Sequence, residues 1–359
     1  MRVVVVGASG NVGTSLLRSL ADEDSVESVV GVARRVPKRS FPKTEWREAD
    51  IRSTPLRPLF QDADVVVHLA WLIQPGRDKQ QLHAVNVDGS ARVFTAAAAA
   101  GVPSLVYASS VGAYAPGPKD RAVDESWPTT GIRSSFYARH KAEVERILDR
   151  FEQDHPDTRV VRLRPGLIFK RDAASGIRRL FAGPFLPGAL VQPRLIPAVP
   201  AHERLIFQAL HSHDAGEAYR LAIVNGQARG AYNIAADPVI DADQLAQALG
   251  ARKLPVPGGL LRGAAALTYL LRLQPSEPGW LDMALAVPIM DTTRARTELG
   301  WQPAWSSTGA LLDLLQGIHD GAGIDTPPLE AGNAGPLRAR ELASGVGARL
   351  DAARSPTQR

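Results

Sequence analysis

Short apolar runs alternate with apolar positions at helical spacing through the first half of the chain. Val3–Val6 is a continuous run ahead of a glycine turn, as in a strand buried on both faces. Val12, Leu16, Leu17 and Leu20 then recur at the period of a helix. Val29–Ala33, Val65–Leu69 and Leu105–Ala108 repeat the strand pattern, with helices expected between them, notably over 80–100. A long helix over 134–154 leads to another strand at Arg159–Leu163. Strands alternating with helices predict an α/β fold with a doubly wound parallel sheet.

Beyond Arg164-Pro165-Gly166 the texture changes. Residues 166–204 are rich in Pro and Gly and poorly periodic. Ala215–Val224 reads as a helix and Tyr232–Ala235 as a strand. Asp241 and Gln244 form a capping-box pattern opening a helix to Leu249. Residues 258–273 form an apolar helix broken only by Arg262 and Arg272. It is expected to pack within a C-terminal lobe; a hydrophobic-substrate pocket or a membrane surface are its alternatives. Residues 324–359 carry little hydrophobic periodicity and are expected to be a disordered tail.

Length and composition narrow the class. A chain of 359 residues has room for about two domains. It is 45% hydrophobic and 22% charged, with apolar material for a sizeable core. The absence of cysteine removes thiolate nucleophiles, zinc fingers and cysteine-ligated clusters. The net charge of +5 does not point to nucleic acid, because residues 331–359 alone hold five arginines against two acids. The run Val93–Pro118 is uncharged but half small or turn-forming, so no membrane span is expected. A soluble, cytoplasmic protein is the expectation.

The chemistry begins at Gly7-Ala8-Ser9-Gly10-Asn11-Val12-Gly13, between the first strand and the first helix. Glycine there lets a pyrophosphate approach the main chain at a helix N-terminus, the dinucleotide site of a Rossmann fold. In that plan an acid ends the second strand and binds the adenosine ribose. Here Ala33 holds the position, Arg34 and Arg35 follow, and no acid lies between 34 and 43. Guanidinium groups suit a ribose 2′-phosphate, which favours NADP over NAD. Tyr137 and Lys141, at i and i+4, share one helical face. A neighbouring cation favours the phenolate, so Tyr137 can act as acid or base at an alcohol or carbonyl. Ser109 and Ser110 end the strand at 105–108, where a hydroxyl can orient the reacting oxygen.

Together these residues resemble the extended short-chain dehydrogenase/reductases of the NAD(P)-dependent epimerase/dehydratase family. The resemblance runs from residue 1 to about 318. It includes Gly7/Gly10/Gly13, Asp50-Ile51, His68-Leu69-Ala70, Asn86-Val-Asp-Gly-Ser90, Ser109-Ser110, Tyr137/Lys141 and Arg164-Pro165-Gly166. Asp214-Ala-Gly-Glu-Ala218, Tyr232-Asn-Ile-Ala235 and Glu298-Leu-Gly-Trp301-Gln-Pro303 follow. The resemblance implies Ser110, Tyr137 and Lys141 as the catalytic set, with Lys141 also holding the nicotinamide ribose. It implies adenine contacts from Asp50 and Ile51, a cofactor lining from Leu69 and Ala70, and Pro165 facing the carboxamide. Asn86 would lie against the cofactor side. It also implies a Rossmann lobe from 1–165 with 205–235, and a substrate lobe from 166–204 and 236–318. A homodimer through the helices near 80–100 and 134–154 is implied too.

The departures concern the substrate. Tyr114-Ala115 replaces the family's Tyr-Gly, and Phe169-Lys170-Arg171 stands for its Tyr-Gly-Pro. Val111-Gly112 follows Ser110 where sugar dehydratases carry Asp-Glu. These departures put a standard sugar-nucleotide substrate in doubt, and the Arg34/Arg35 signal favours an exchangeable NADPH and a reductase over a nucleotide-sugar epimerase that retains NAD. A non-catalytic NADPH sensor is a further alternative. Ala108-Ser-Ser110-Val-Gly112 also approximates a hydrolase elbow, with Asp214 and His319 as imaginable partners. His211-x-His213-Asp214 is metal-like but lacks converging ligands, so no metal is expected. Trp71, after Ala70, is either core or pocket.

Overall fold

The computed structural model describes residues 1–73, 78–181, 191, 195–271 and 276–331. The chain begins β1 (Arg2–Val6), α1 (Asn11–Ala21), β2 (Ser28–Ala33), β3 (Thr44–Glu48), α2 (Arg57–Phe60), β4 (Val65–His68) and α3 (Lys79–His83). A π-helical turn (Ala84–Asp88) leads into α4 (Gly89–Ala99), β5 (Ser104–Ala108), β6 (Ala122–Val123), α5 (Phe136–Asp154) and β7 (Arg159–Pro165). Next come β8 (Leu167–Phe169), α6 (Ala174–Phe181), β9 (Ala198–Ala201), β10 (Phe207–His211), α7 (Ser212–Val224), β11 (Gly230–Ile234) and β12 (Ala236–Ile240). The described chain finishes with α8 (Ala242–Leu249), β13 (Arg252–Pro255), α9 (Gly258–Leu270), α10 (Gly279–Ala286), β14 (Ile289–Met290), α11 (Thr293–Glu298) and α12 (Ser307–Asp320).

Seven strands form one sheet in the order β11-β7-β5-β4-β1-β2-β3, every pair parallel. This is the Rossmann order, with its switch point between β1 and β4. The valine run of β1 explains why both faces are covered. Val3 and Val5 pack with Leu16, Leu17 and Leu20 of α1, and Val4 and Val6 with Phe60, Val93 and Phe94 on the other face. The two-residue side-chain period of a strand makes this split.

A smaller unit gathers on the carboxyl side of the sheet. β10 pairs with β8 and β12, and α12 covers them through Ala310, Leu314 and Ile318 against Phe169, Ala209 and Ile240. α10 reaches back to α5, where Met283 and Val287 meet Ile132 and Ala138. α7 lies against α1 so closely that a Cβ on Gly216 would fall 2.7 Å from the Ser15 carbonyl carbon. Trp301 is fully buried and donates to the Asp214 carbonyl at 2.9 Å. The Asp214 carboxylate accepts from the amides of Ala304 and Trp305. Two of the late sequence motifs are therefore one packing contact.

Some expectations change. β3, with the sequence Thr-Glu-Trp-Arg-Glu, lacks an apolar run because it is the sheet's edge and is largely exposed. The helix expected over 80–100 is divided by a π turn that carries Asn86. Asp241 caps α8 through the Gln244 amide, and Gly250 ends it at φ +64°. α9 has no buried residue; Leu260, Leu267 and Leu270 are 65, 56 and 72% exposed. Of the expected tail, 324–331 is folded back with Thr326 and Leu329 buried, and 332–359 lies outside the described residues.

The α1–α7 approach has a direct test. Gly216→Ala is expected to destabilise the protein by about 1–3 kcal/mol, the usual cost of overpacking. Urea unfolding would read this as a lower midpoint. An unchanged midpoint would mean that the two helices can part to admit a methyl group.

Candidate active site

The glycine turn is built by close approach. Gly7 has φ +90°, and a Cβ there would lie 2.6 Å from the Ala70 nitrogen. A Cβ on Gly13 would lie 2.5 Å from the Ala8 carbonyl oxygen. Gly10 differs: its Cβ would meet only the Gly7 oxygen, at 3.4 Å. Gly10 is also the N-cap of α1 and offers no side chain to the first amides of the helix. Those amides and the helix dipole suit an anion. The turn thus fits a dinucleotide pyrophosphate, with Ser9 buried behind it and Asn11 and Val12 half-buried on the first helical turn.

Other candidate cofactor residues gather along the same carboxyl edge. Arg34 and Arg35 are exposed just past β2. Burial raises the pKa of Asp50, but hydrogen bonds from Arg52 outweigh it and hold the carboxyl below its usual range. Ile51 is buried beneath Gly89. Leu69 and Ala70 leave β4 beside Gly7, and Pro165 ends β7. Asn86 is fully buried and clamps Leu72, accepting from its amide at 2.7 Å and donating to its carbonyl at 2.8 Å. Asn86 therefore fixes the course of the 69–72 segment.

The serine, tyrosine and lysine come together at the end of β5. Ser135 caps α5 by accepting from the Ala138 amide, so Tyr137 and Lys141 sit on the first turns of that helix. The Ser110 hydroxyl accepts from the Gly112 amide at 3.0 Å, and the Tyr137 ring lies beside that turn, 3.0 Å from where a Cβ on Gly112 would stand. Burial raises the Tyr137 pKa, and the Ser110 side chain opposes that rise. The Lys141 ammonium donates to the Ala108 carbonyl at 2.6 Å and lies 3.5 Å from the Trp71 ring centroid. Burial pushes its pKa well below the ordinary value, with Glu145 opposing. Two indoles flank the phenol: Trp280 at 4.9 Å and Trp71 at 5.9 Å between centroids.

Ser109 belongs to a different set. Its hydroxyl donates to the buried Glu145 carboxylate at 2.5 Å. Glu145 also accepts from Arg162 at 2.9 Å and from Arg164 at 2.9 and 3.1 Å. Arg164 donates onward to Tyr114 and to the Glu125 carbonyl, and Tyr114 donates to Asn233 at 2.6 Å. Burial would raise the Glu145 pKa; the two guanidinium groups and Ser109 instead hold it at about 2. Sequence reasoning missed this cluster. Its one signal is the recurrence of arginine, at 159, 162 and 164, in a strand whose other residues are apolar.

The other candidates resolve simply. Both Asp214 oxygens are engaged by backbone amides, so the acid of a hydrolase triad is already committed. His211 meets Asp313 at 3.3 Å and His213 meets Arg18 at 3.0 Å. Among the described residues no group of three or more His, Asp or Glu could hold a metal ion, and no helix is long and apolar enough to cross a membrane.

Fold and turn together define a dinucleotide-binding α/β protein of the Rossmann type. The sequence profile of the NAD dependent epimerase/dehydratase family matches residues 3–235, and the chain belongs to that family. An uncharacterized protein of Mycobacterium tuberculosis is 28% identical over 326 residues, covering 90% of this chain and 31% of that protein. The chain thus spans about a third of that relative's length. A second uncharacterized protein of that organism is 28% identical over 331 residues, covering 88% of this chain and 83% of its own. The Thermus thermophilus UDP-glucose 4-epimerase complex with NAD has the same fold. It has a TM-score of 0.64 at 20% identity, covering 89% of this chain and 99% of that one. The UDP-glucuronic acid 4-epimerase of Bacillus cereus in complex with NAD matches at TM-score 0.64 and 18% identity, with the same coverage.

The Glu145 cluster sets a measurable stability. Glu145→Gln leaves two buried guanidinium groups without their shared carboxylate, at an expected cost of about 3–5 kcal/mol. Because the folded pKa lies below the ordinary 4.5, the wild-type contribution is full above that pH. It is lost as pH falls toward 2. Urea midpoints between pH 7 and pH 3 should converge for wild type and variant; parallel lines would refute the ionised carboxylate.

Proposed function

We propose that the protein is an NAD(P)-dependent oxidoreductase acting on a carbonyl or secondary alcohol, with Tyr137 as acid and base. The observation that carries this is the placing of Tyr137 beside the Ser110–Gly112 turn, with Lys141 one helical turn along and held by the Ala108 carbonyl at the end of β5. A bound dinucleotide supplies the hydride donor or acceptor at its nicotinamide ring. Tyr137 gives its phenolic proton to the carbonyl oxygen during reduction and takes it from the hydroxyl during oxidation. Ser110 orients that oxygen. Lys141, held by the Ala108 carbonyl, stabilises the phenolate and binds the nicotinamide ribose.

The pyrophosphate lies on the turn from Gly7 to Gly13. Asp50 and Ile51 border the adenine, and Leu69, Ala70 and Pro165 line the nicotinamide side. Arg34 and Arg35 bind a 2′-phosphate, which makes NADP the preferred cofactor. Residues 1–165 with 205–235 form the dinucleotide lobe, and 166–204 with 236–318 the substrate lobe. The protein works in the cytoplasm as a homodimer. A nucleotide-sugar epimerase that retains NAD is the second reading. It is favoured by the NAD and UDP-sugar named with the structural relatives.

Tyr137→Phe is expected to lower turnover at least a thousandfold while dinucleotide affinity stays within threefold. Near wild-type turnover would sink the acid–base role. Calorimetric titration of Arg34→Ala/Arg35→Ala should show NADPH binding weakened at least tenfold more than NADH binding. Equal losses, or NAD copurifying with the wild-type protein, would turn the assignment toward the epimerase.

A further inference from the structure

We infer that the substrate presents an apolar, aromatic group beside its reacting carbonyl, and that this group stacks against Trp280 and Trp71. The inference rests on the oxidoreductase reading above and names the substrate class for that site. Its first support is the position of the two indoles. Trp71 comes from the segment after β4 and Trp280 from α10, and both lie against the ring of Tyr137. The indoles thus form much of the aromatic surround of the phenol.

The rest of the lining agrees. Val111, Met283 and Ala286 complete the cluster around Tyr137, and none carries a charge. A nucleotide sugar needs cations for its diphosphate. Lys119 and Arg204, on the side of the substrate lobe facing α10, are engaged otherwise. Lys119 donates to the carbonyls of Ile206 and Ala284, and Arg204 to those of Leu285 and Gly117.

A neighbouring helix is apolar and exposed as well. α9 is tied to α10 by Arg262 and Asp282 at 2.9 Å, and turns Leu260, Leu267 and Leu270 to the surface. A solvent-facing helix ordinarily carries polar residues there. Here an apolar collar borders the helix that supplies Trp280, as suits an apolar substrate approaching from outside.

In the reducing direction the carbonyl carbon gains a hydride from the reduced dinucleotide, and its oxygen gains the Tyr137 proton. The products are a secondary alcohol and the oxidised dinucleotide, and water reprotonates the tyrosine. Aromatic faces stack with the flat ring of an aryl ketone and desolvate its carbonyl. A small polar ketone offers nothing to the indoles.

The test uses the full chain loaded with NADPH, with acetophenone, dihydroxyacetone and UDP-glucose as probes. Tryptophan fluorescence reads binding, and NADPH absorbance reads turnover. The aryl ketone is expected to bind at least tenfold more tightly than dihydroxyacetone and to be reduced with the higher kcat/KM. Trp280→Ala should lower the ratio of the two kcat/KM values at least tenfold, and Trp280→Phe should restore it to within threefold of wild type. A merely structural tryptophan would lower both values together and leave the ratio unchanged, which would overturn the inference. Tighter binding of UDP-glucose, or no binding of the aryl ketone, would overturn it too. Aryl ketone binding without turnover would sink the hydride-transfer reading and leave the aromatic site standing.

Discussion

The Glu145 carboxylate is buried among two guanidinium groups and a serine, and the geometry of the candidate site depends on it. An ionised carboxylate in that position is tolerable only because four donor contacts converge on it. The partners come from different parts of the sheet. Ser109 ends β5, Arg162 and Arg164 lie on β7, and Glu145 itself is on α5. The cluster therefore fixes where α5 stands against the strand ends. Tyr137, Lys141 and Glu145 follow at steps of four along that helix, so all three share one face. Rotation of α5 that moved the phenol would also pull the carboxylate from the arginines. The ion cluster costs desolvation energy and in return holds the phenol and ammonium where Ser110 and Ala108 meet them.

The same logic reaches the other side of the switch point. Asn86 sits on a π turn, an irregularity that is rare in helices and common near functional sites. The turn sets its amide against the backbone of Leu72. That contact fixes the segment carrying Leu69, Ala70 and Trp71. Gly7 then lets the glycine turn lie against Ala70 with no side chain between them. One close approach and one buried amide thus fix the segments that leave the first and fourth strands.

The central strands were legible because parallel strands covered on both faces must be continuously apolar, and Val3–Val6 and Val65–Val67 are. The glycine turn was legible for a related reason, since backbone contacts below 3 Å admit no other residue. β3 was not, because an edge strand with an exposed face needs no apolar run. Spacing alone could not tell which of two adjacent serines faces the tyrosine; only the family resemblance singled out Ser110. Ser109 turns to Glu145 and Ser110 to Tyr137, a choice made by partners 36 and 27 residues away. Trp280 had no signal at all. It lies 143 residues from Tyr137 in a stretch whose composition suggests only a packed helix.

That distance has a structural basis in how the second lobe meets the first. Glu277 accepts from the Phe136 amide at 3.2 Å, at the N-terminal end of α5, where the helix dipole favours an anion. Its other oxygen pairs with Lys79, whose ammonium lies 4.1 Å from the Phe136 ring centroid. Gly279 then approaches the Ser134 carbonyl so closely that a Cβ there would fall 2.2 Å away. These contacts seat the start of α10 on the first turn of α5 and deliver Trp280 and Met283 to Tyr137. The phenol is held from the sheet side through the face of α5 that carries Lys141 and Glu145, while part of its surroundings comes from a helix docked on the first turn of α5. Substitutions on α10 can therefore change what the phenol faces without disturbing the ion cluster that positions it. A fold arranged this way can keep Ser110, Tyr137 and Lys141 in place while the residues that face the phenol change.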